Sequence, residues 1–354
     1  MQIFGRVVAV FLVLLGFAPF SNVVADTTQV FYGKLHISAD AIQFEKSKED
    51  RKLLSSNSTR VGFKGSEELG ETMKAIWKLE GGLDLTGETS GFTVRNRYLG
   101  LINPLGMVVA GVHDTPYKSL GAKFDIMPNT IADRRSILGN VNGTRYLDNR
   151  AENALMYVSH VISGLELRFM ASSGGAQEEG TEGGIDKNPV NSFSAIYKGN
   201  AGFLGAAYEE NVNVGVDGVR LAAGFALTAS KMFIVYEQLG AKKDGNNLHE
   251  RASYGLSAMH RISNTTLKIQ ALRADDYFES RDSSGTLLAA GITQHLGKQV
   301  DLYTVVARMD NKKTSEFPLR GSSSPSTGTN GEFYATDAAG SDITGVSLGM
   351  VYTF

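Results

Sequence analysis

Apolar and polar residues alternate along most of the chain with a period of two, in runs of about ten residues. Phe31, Gly33, Leu35, Ile37 and Ala39 form one stripe, and Tyr32, Lys34, His36, Ser38 and Asp40 form the other. Val61, Phe63 and Gly65 oppose Arg60, Lys64 and Ser66, and Ala75, Trp77 and Leu79 oppose Lys74, Lys78 and Glu80. The alternation recurs at 165–171, 219–227 and 267–271, and the chain closes with Val346, Leu348, Met350, Tyr352 and Phe354 on one face. In a strand, successive side chains point to opposite sides, so each run makes a ribbon with one greasy and one wet face.

Runs bounded by turn residues number about sixteen, and a strand of about ten residues crosses a bilayer when tilted. Connections alternate in length. Short ones fall at 67–70, 103–106, 161–164, 199–202, 228–230 and 262–265, and long polar ones at 44–57, 113–149, 172–189, 209–218, 240–250 and 310–342. Short turns on one rim and long loops on the other predict an all-β fold, a transmembrane antiparallel β-barrel. Soluble β-sandwiches and solenoids also alternate, but they do not need charged residues on the opposite face of nearly every strand. Beyond the N-terminal segment no apolar run is long enough for a membrane helix, and mean hydropathy is −0.12.

Residues 1–25 carry a single charge, Arg6, then an apolar run at 7–17, a break at Pro19 and the small-residue ending Val23-Val24-Ala25. They read as a secretory signal peptide, with 26–354 as one barrel domain. Zero cysteines exclude a disulfide scaffold and a thiolate metal site. Thirty-five basic against thirty-seven acidic residues, with no basic block, argue against nucleic acid as a partner. The six histidines show no metal-ligand spacing, and no nucleophile-elbow or phosphate-loop string occurs. His113-Asp114 lacks a neighbouring nucleophile motif, so no catalytic residue, metal or cofactor is implied.

Three strings carry a resemblance. Arg60-Val61-Gly62-Phe63-Lys64-Gly65-Ser66-Glu67-Glu68-Leu69-Gly70, followed by Lys74-Ala75-Ile76-Trp77-Lys78-Leu79-Glu80, resembles the hairpin of strands 2 and 3 in the Gram-negative general porin family. Asn96-Arg97-Tyr98-Leu99-Gly100-Leu101, with Gly111-Val112-His113-Asp114-Thr115-Pro116-Tyr117-Lys118 after a turn, is similar to that family's strands 4 and 5 and the entry to loop 3. The ending, 345–354, is similar to its terminal strand. The resemblance implies a sixteen-stranded homotrimer in the outer membrane of a Gram-negative bacterium, in contact with membrane lipids and lipopolysaccharide. It also implies insertion by the barrel assembly machinery, with Tyr352 and Phe354 as the assembly signal, and passage of small hydrophilic solutes and ions. Two departures stand out: Val112 replaces a common lumen-facing arginine, and Leu296-Gly297-Lys298-Gln299-Val300 replaces a more basic turn.

A barrel of about sixteen strands is too wide for side chains to fill, and the family likeness makes 113–149 an inward-folded loop 3. Asn129 is placed to cap a helix over 130–138, with Asp133 in its first turn and Gly139 just past its end. The constriction is expected from His113, Asp114, Tyr117, Lys118, Asp125, Asp133, Arg134 and Arg135. A basic pore wall facing it is expected from Lys34, Arg60, Lys64, Lys74, Lys78, Arg95 and Arg97. Opposed charges across a narrow aqueous gap select what passes. Two other readings stay open: an outer-membrane barrel enzyme, and a plugged structural or adhesive surface barrel.

Overall fold

The computed structural model describes residues 27–46, 50–87, 92–141, 144–174, 185–186, 189–243, 246–277, 280–319 and 338–354. The signal peptide expected at 1–25 lies outside the described residues. Sixteen antiparallel strands close into one barrel. In chain order they are β1 (Thr27–Phe44), β2 (two runs, Arg51–Ser56 and Arg60–Glu68), β3 (Lys74–Gly82), β4 (Thr93–Asn103), β5 (Gly106–Asp114) and β6 (Arg150–Ser159). Then come β7 (Leu165–Ser172), β8 (Val190–Gly199), β9 (Gly202–Asn211), β10 (Val216–Leu227) and β11 (Ser230–Lys243). The last five are β12 (Asn246–Ile262), β13 (Thr265–Ala274), β14 (Gly285–Leu296), β15 (Val300–Asn311) and β16 (Ile343–Thr353). Each strand pairs with the next, and β16 returns to β1 in a register running from Lys34↔Thr353 to Phe44↔Ile343. Closure leaves no sheet edge unpaired.

The apolar parity is the exposed one. Leu99, Leu204, Ile269 and Leu348 are each more than half exposed, whereas His36, Ser38 and Asp40 on the opposite parity of β1 are buried. In water this arrangement would forfeit the burial of every one of those side chains. Hydrocarbon around the barrel removes that cost, and the polar parity then serves the interior.

Short turns join the strands on one rim. Between β8 and β9 only Asn200 and Ala201 intervene, and a Cβ on Gly202 would lie 1.8 Å from the Gly224 carbonyl oxygen, so the approach of β9 to β10 there requires glycine. On the other rim the long connections predicted at 209–218 and 240–250 are largely strand. The first shrinks to 212–215 because Glu209 and Glu210 continue the ladder opposite Gly218 and Asp217. Polarity on both faces marked these residues as loop, whereas it reflects hairpins that extend past the hydrocarbon zone.

The helix expected over 130–138 does not form. Asn129 sits at φ +56°, and only a 3-10 turn, Arg134–Ser136, follows. Asp133 takes the backbone N–H of Asn129 (2.8 Å) and of Arg135 (2.9 Å), substituting local side-chain bonds for a helical ladder. The segment's helix is instead α1 (Pro116–Gly121), which has proline in its first turn and Thr115 Oγ1 accepting from the Lys118 N–H at 3.2 Å. Tyr117, Leu120, Met127, Ile131, Leu138 and Leu147 of this segment form one buried cluster with Phe233, Val235, Leu272, Leu287 and Val305 of the strands.

Candidate functional site

Two irregularities in the ladder build the basic wall. Between the two runs of β2, Ser58 adopts φ +61°, a bulge of the kind that re-aims side chains. Its carbonyl accepts from Arg60 Nη1 at 3.2 Å and its hydroxyl from Arg95 Nη1 at 3.1 Å. Between β3 and β4 the register shifts after Leu79, so that Arg95 reaches Glu80 through Nε at 2.6 Å while the adjacent Asn96 donates Nδ2 to Asp114 at 3.1 Å. Glu80 is the centre of the group. Buried at 4% exposure, it also accepts from the Tyr32 hydroxyl at 2.8 Å and pairs with Lys78 at 3.3 Å and Arg60 at 3.7 Å. The Lys64 and Lys78 ammonium groups lie 5.3 and 5.5 Å from the centre of the Tyr32 ring, within cation–π range. Lys34 stands opposite Arg60 in register.

Lys34, Arg60, Lys64, Lys78 and Arg95 thus gather around one carboxylate. Lys74 and Arg97 stand apart from them. Lys74 sits beside the β3 turn, bonded to Glu68 at 2.5 Å. Arg97 pairs in register with Leu79 and Val112, on the parity of exposed Leu99, and gives Nε to the Glu80 carbonyl at 3.5 Å.

The residues predicted for the constriction divide into three groups. His113 and Asp114 end β5. His113 Nδ1 is 2.7 Å from the Asp114 carbonyl and its ring packs 5.1 Å from that of Tyr98. The Asp114 carboxylate is shared by Lys118 (3.0 Å) and Arg150 (3.1 Å). Around the 3-10 turn, Arg135 clamps Asp133 through Nε (2.8 Å) and Nη2 (2.5 Å). Burial opposes ionisation of Asp133, but Arg135 outweighs it and holds this carboxyl well below the usual range. In the third group, Arg134 forks onto Asp148 and approaches Asp125 with Nε at 3.5 Å. Because Arg134 is engaged by Asp148, burial and repulsion from Asp133 dominate at Asp125 and raise its carboxyl to about 7.

The strand residues that hold this segment escaped the sequence reading. Glu237 of β11 accepts from the Tyr117 hydroxyl and the Gly139 N–H, both at 2.7 Å, and from Arg220 Nη2 of β10 at 2.5 Å. Arg220 lies 3.9 Å from the centre of the Tyr117 ring and pairs with Asp148 at 2.8 Å. Gln270 of β13 donates to the Ala132 carbonyl at 2.8 Å, and Glu209 of β9 accepts from the Asp148 N–H at 2.9 Å. A usable signal was present. Arg220 stands between Val219 and Leu221 in a run read as membrane strand, where a charged side chain has to face inward and find a partner.

Electrostatically the two sides differ. Asp114, Asp125, Asp133 and Asp148 each have at least one guanidinium or ammonium partner within 3.5 Å, while five bases crowd Glu80. The arrangement presents positive charge where the wall is open to solvent, and it brings no nucleophile and base together.

Residues 12–314 match the family model described as Gram-negative porin. Among curated relatives, the major outer membrane protein P.IB of Neisseria gonorrhoeae is 38% identical over 64 residues, a match that covers 18% of each chain. The outer membrane porin protein 32 of Delftia acidovorans is 25% identical over 309 residues, 84% of this chain and 85% of that one. Among solved structures, an anion-selective porin from Comamonas acidovorans superposes with a TM-score of 0.76 at 21% identity, covering 93% of this chain and all of the other. Together with the closed sixteen-stranded barrel and its apolar exterior, the match over most of the sequence places this chain in the Gram-negative porin family, in the outer membrane.

Proposed function

We propose that the chain is a passive diffusion channel for small hydrophilic solutes and ions, in which 115–149 lies in the bore as an inward-folded loop 3 and the residual opening favours anions. The supporting observation is the asymmetry of charge: five bases surround Glu80, while the acids of the facing segment are taken up by Lys118, Arg134, Arg135, Arg150 and Arg220. A barrel of about sixteen strands leaves an aqueous channel unless something narrows it. Hydrogen bonds from Ser192, Glu209, Glu237 and Gln270 draw the segment toward β8, β9, β11 and β13, on the far side from the basic wall of β1–β4. Ions entering the gap meet the wall's charge at short range, where water screens it least. The anion selectivity named for the Comamonas porin agrees with this reading.

The channel works as a homotrimer, contacts membrane lipids and lipopolysaccharide through its exposed apolar parity, and is exported by residues 1–25. The barrel assembly machinery inserts it by way of the terminal strand bearing Tyr352 and Phe354. It transports by diffusion and is not an enzyme. Purified protein in a planar bilayer under a salt gradient tests the reading. Open-channel conductance with a reversal potential of anion sign is expected. Cation sign would overturn the preference, and a silent barrel would overturn the channel itself. Hydrolysis of lipid or peptide by the same preparation would favour the enzyme.

A further inference from the structure

Arg251 of β12 sits where three distant connections meet. Its guanidinium is 1% exposed and lies 4.7 Å from the centre of the Tyr277 ring and 4.8 Å from that of Phe317. Nη1 donates to the Tyr277 hydroxyl at 3.0 Å, and Nη2 donates to the backbone carbonyl of Asn140. Tyr277 belongs to the connection between β13 and β14, Phe317 to that between β15 and β16, and Asn140 to the segment read as loop 3. The Phe317 peptide is gripped from both sides by Asn311 at the end of β15, whose Oδ1 accepts from its N–H and whose Nδ2 donates to its carbonyl, each at 2.9 Å. Two residues on, Leu319 is buried in the same apolar cluster as Ile131 of loop 3.

A charge this deep is tolerated because two π faces, a phenol and a carbonyl surround it. Only a planar guanidinium can stack on rings and donate in two directions at once; an ammonium is a point charge on a flexible stem. We propose that Arg251 is a positioning residue that clamps 315–319 and Tyr277 onto loop 3, so that the three connections move as one body and the bore keeps a fixed width. The proposal rests on the reading of 115–149 as the narrowing segment. It assigns to the last long connection a part in holding the channel open, and to Arg251 a role separate from the selectivity of the wall.

The test is single-channel recording on folded, heat-modifiable protein carrying Arg251→Lys, Phe317→Leu or both. Arg251→Lys keeps the charge and loses the fork, and Phe317→Leu keeps apolar bulk and loses the π face. Each is expected to raise the frequency of transient closures about fivefold, the low end of a coupling effect. The double variant should do no more than the stronger single one, because both break one contact. The reversal potential should not move, since no wall charge changes. If Arg251→Lys fails to fold, Phe317→Leu decides alone. Wild-type closure frequency in the folded single variants, or additive effects in the double, overturns the clamp. A parallel deletion of 123–138 separates this from the reading beneath it. A wider channel with quiet clamp variants removes the clamp alone, and an unchanged conductance removes the constriction and the clamp together.

Discussion

The ring of Phe354 occupies the space a side chain would take at position 33. A Cβ on Gly33 would lie 2.3 Å from Phe354 Cζ, and the two backbones exchange hydrogen bonds of 3.0 and 3.1 Å. Phe31 stacks on the same ring at 5.5 Å, and Tyr352 at 5.6 Å. The terminal aromatic therefore covers the one glycine at the seam where β16 meets β1, and packing there is part of what closes the barrel.

Gly33→Ala should accordingly weaken the seam by about 1–3 kcal/mol, the usual cost of overpacking. The readout is the temperature at which the folded band on a gel converts to the unfolded one. In a Phe354→Ala background the same substitution should cost much less, because the ring it strikes is gone. Strictly additive losses would mean that the contact carries no energy.

Changing Arg60, Lys64, Lys78 and Arg95 to Gln together should move the reversal potential toward cations. Fixed charge acts over a Debye length of about 8 Å at physiological salt. Lys74→Gln serves as the control, since Lys74 is bonded to Glu68 beside the turn, apart from the group around Glu80. A shift from Lys74→Gln equal to that of the wall variant would relocate the selective charges to the rim.

Asp125 sets a pH dependence. Burial and Asp133 raise its carboxyl to about 7, above the unfolded value of 3.8. Its favourable contribution to stability is therefore complete below the unfolded value and is lost as pH rises through about 7. Over the same window loop 3 gains a negative charge, so anion preference should decline as pH rises. Asp125→Asn should flatten both curves, and recordings in which the variant titrates like the parent would assign the effect elsewhere.

The barrel was legible because its lipid-facing stripe is a repeated local rule: Val219, Leu221 and Phe225 announce their face without reference to any other strand. Lys34, Arg60, Lys64, Lys78 and Arg95 were legible for the same reason, as charges on the wet parity. Arg97 was misplaced because the shift at Leu79 moves it to the other face, and such irregularities depend on a neighbouring strand. The helix at 130–138 was misread because Asp133 was credited to a helix dipole when it bonds to Asn129 and Arg135. Glu237 and Arg251 were invisible because their partners Tyr117, Gly139 and Asn140 lie about a hundred residues away and meet them only after closure.

The pairing of Arg220 with Glu237 yields the sharpest test of how loop 3 is held. Both side chains are fully buried, and their Nη2 to Oε2 distance is 2.5 Å. Removing one member leaves the other charged and desolvated, which costs about 3–5 kcal/mol in buried pairs, whereas replacing both by apolar residues of similar volume is often neutral. Here the asymmetry should be partial, because Glu237 also holds Tyr117 and Gly139 and Arg220 also holds Asp148. Arg220→Met should leave Glu237 with only neutral donors, and Glu237→Leu should leave Arg220 with only Asp148 and free two points of the loop. The double variant should be more stable than the sum of the singles implies, yet still less stable than the parent by the lost loop anchors. Thermal unfolding of the four proteins measures that coupling. Protease cleavage within 115–149 in folded Glu237→Leu, absent from the parent, would locate the loss in the loop, whereas equal resistance would show that the apolar cluster around Leu120, Ile131 and Leu138 holds it without the ion pair.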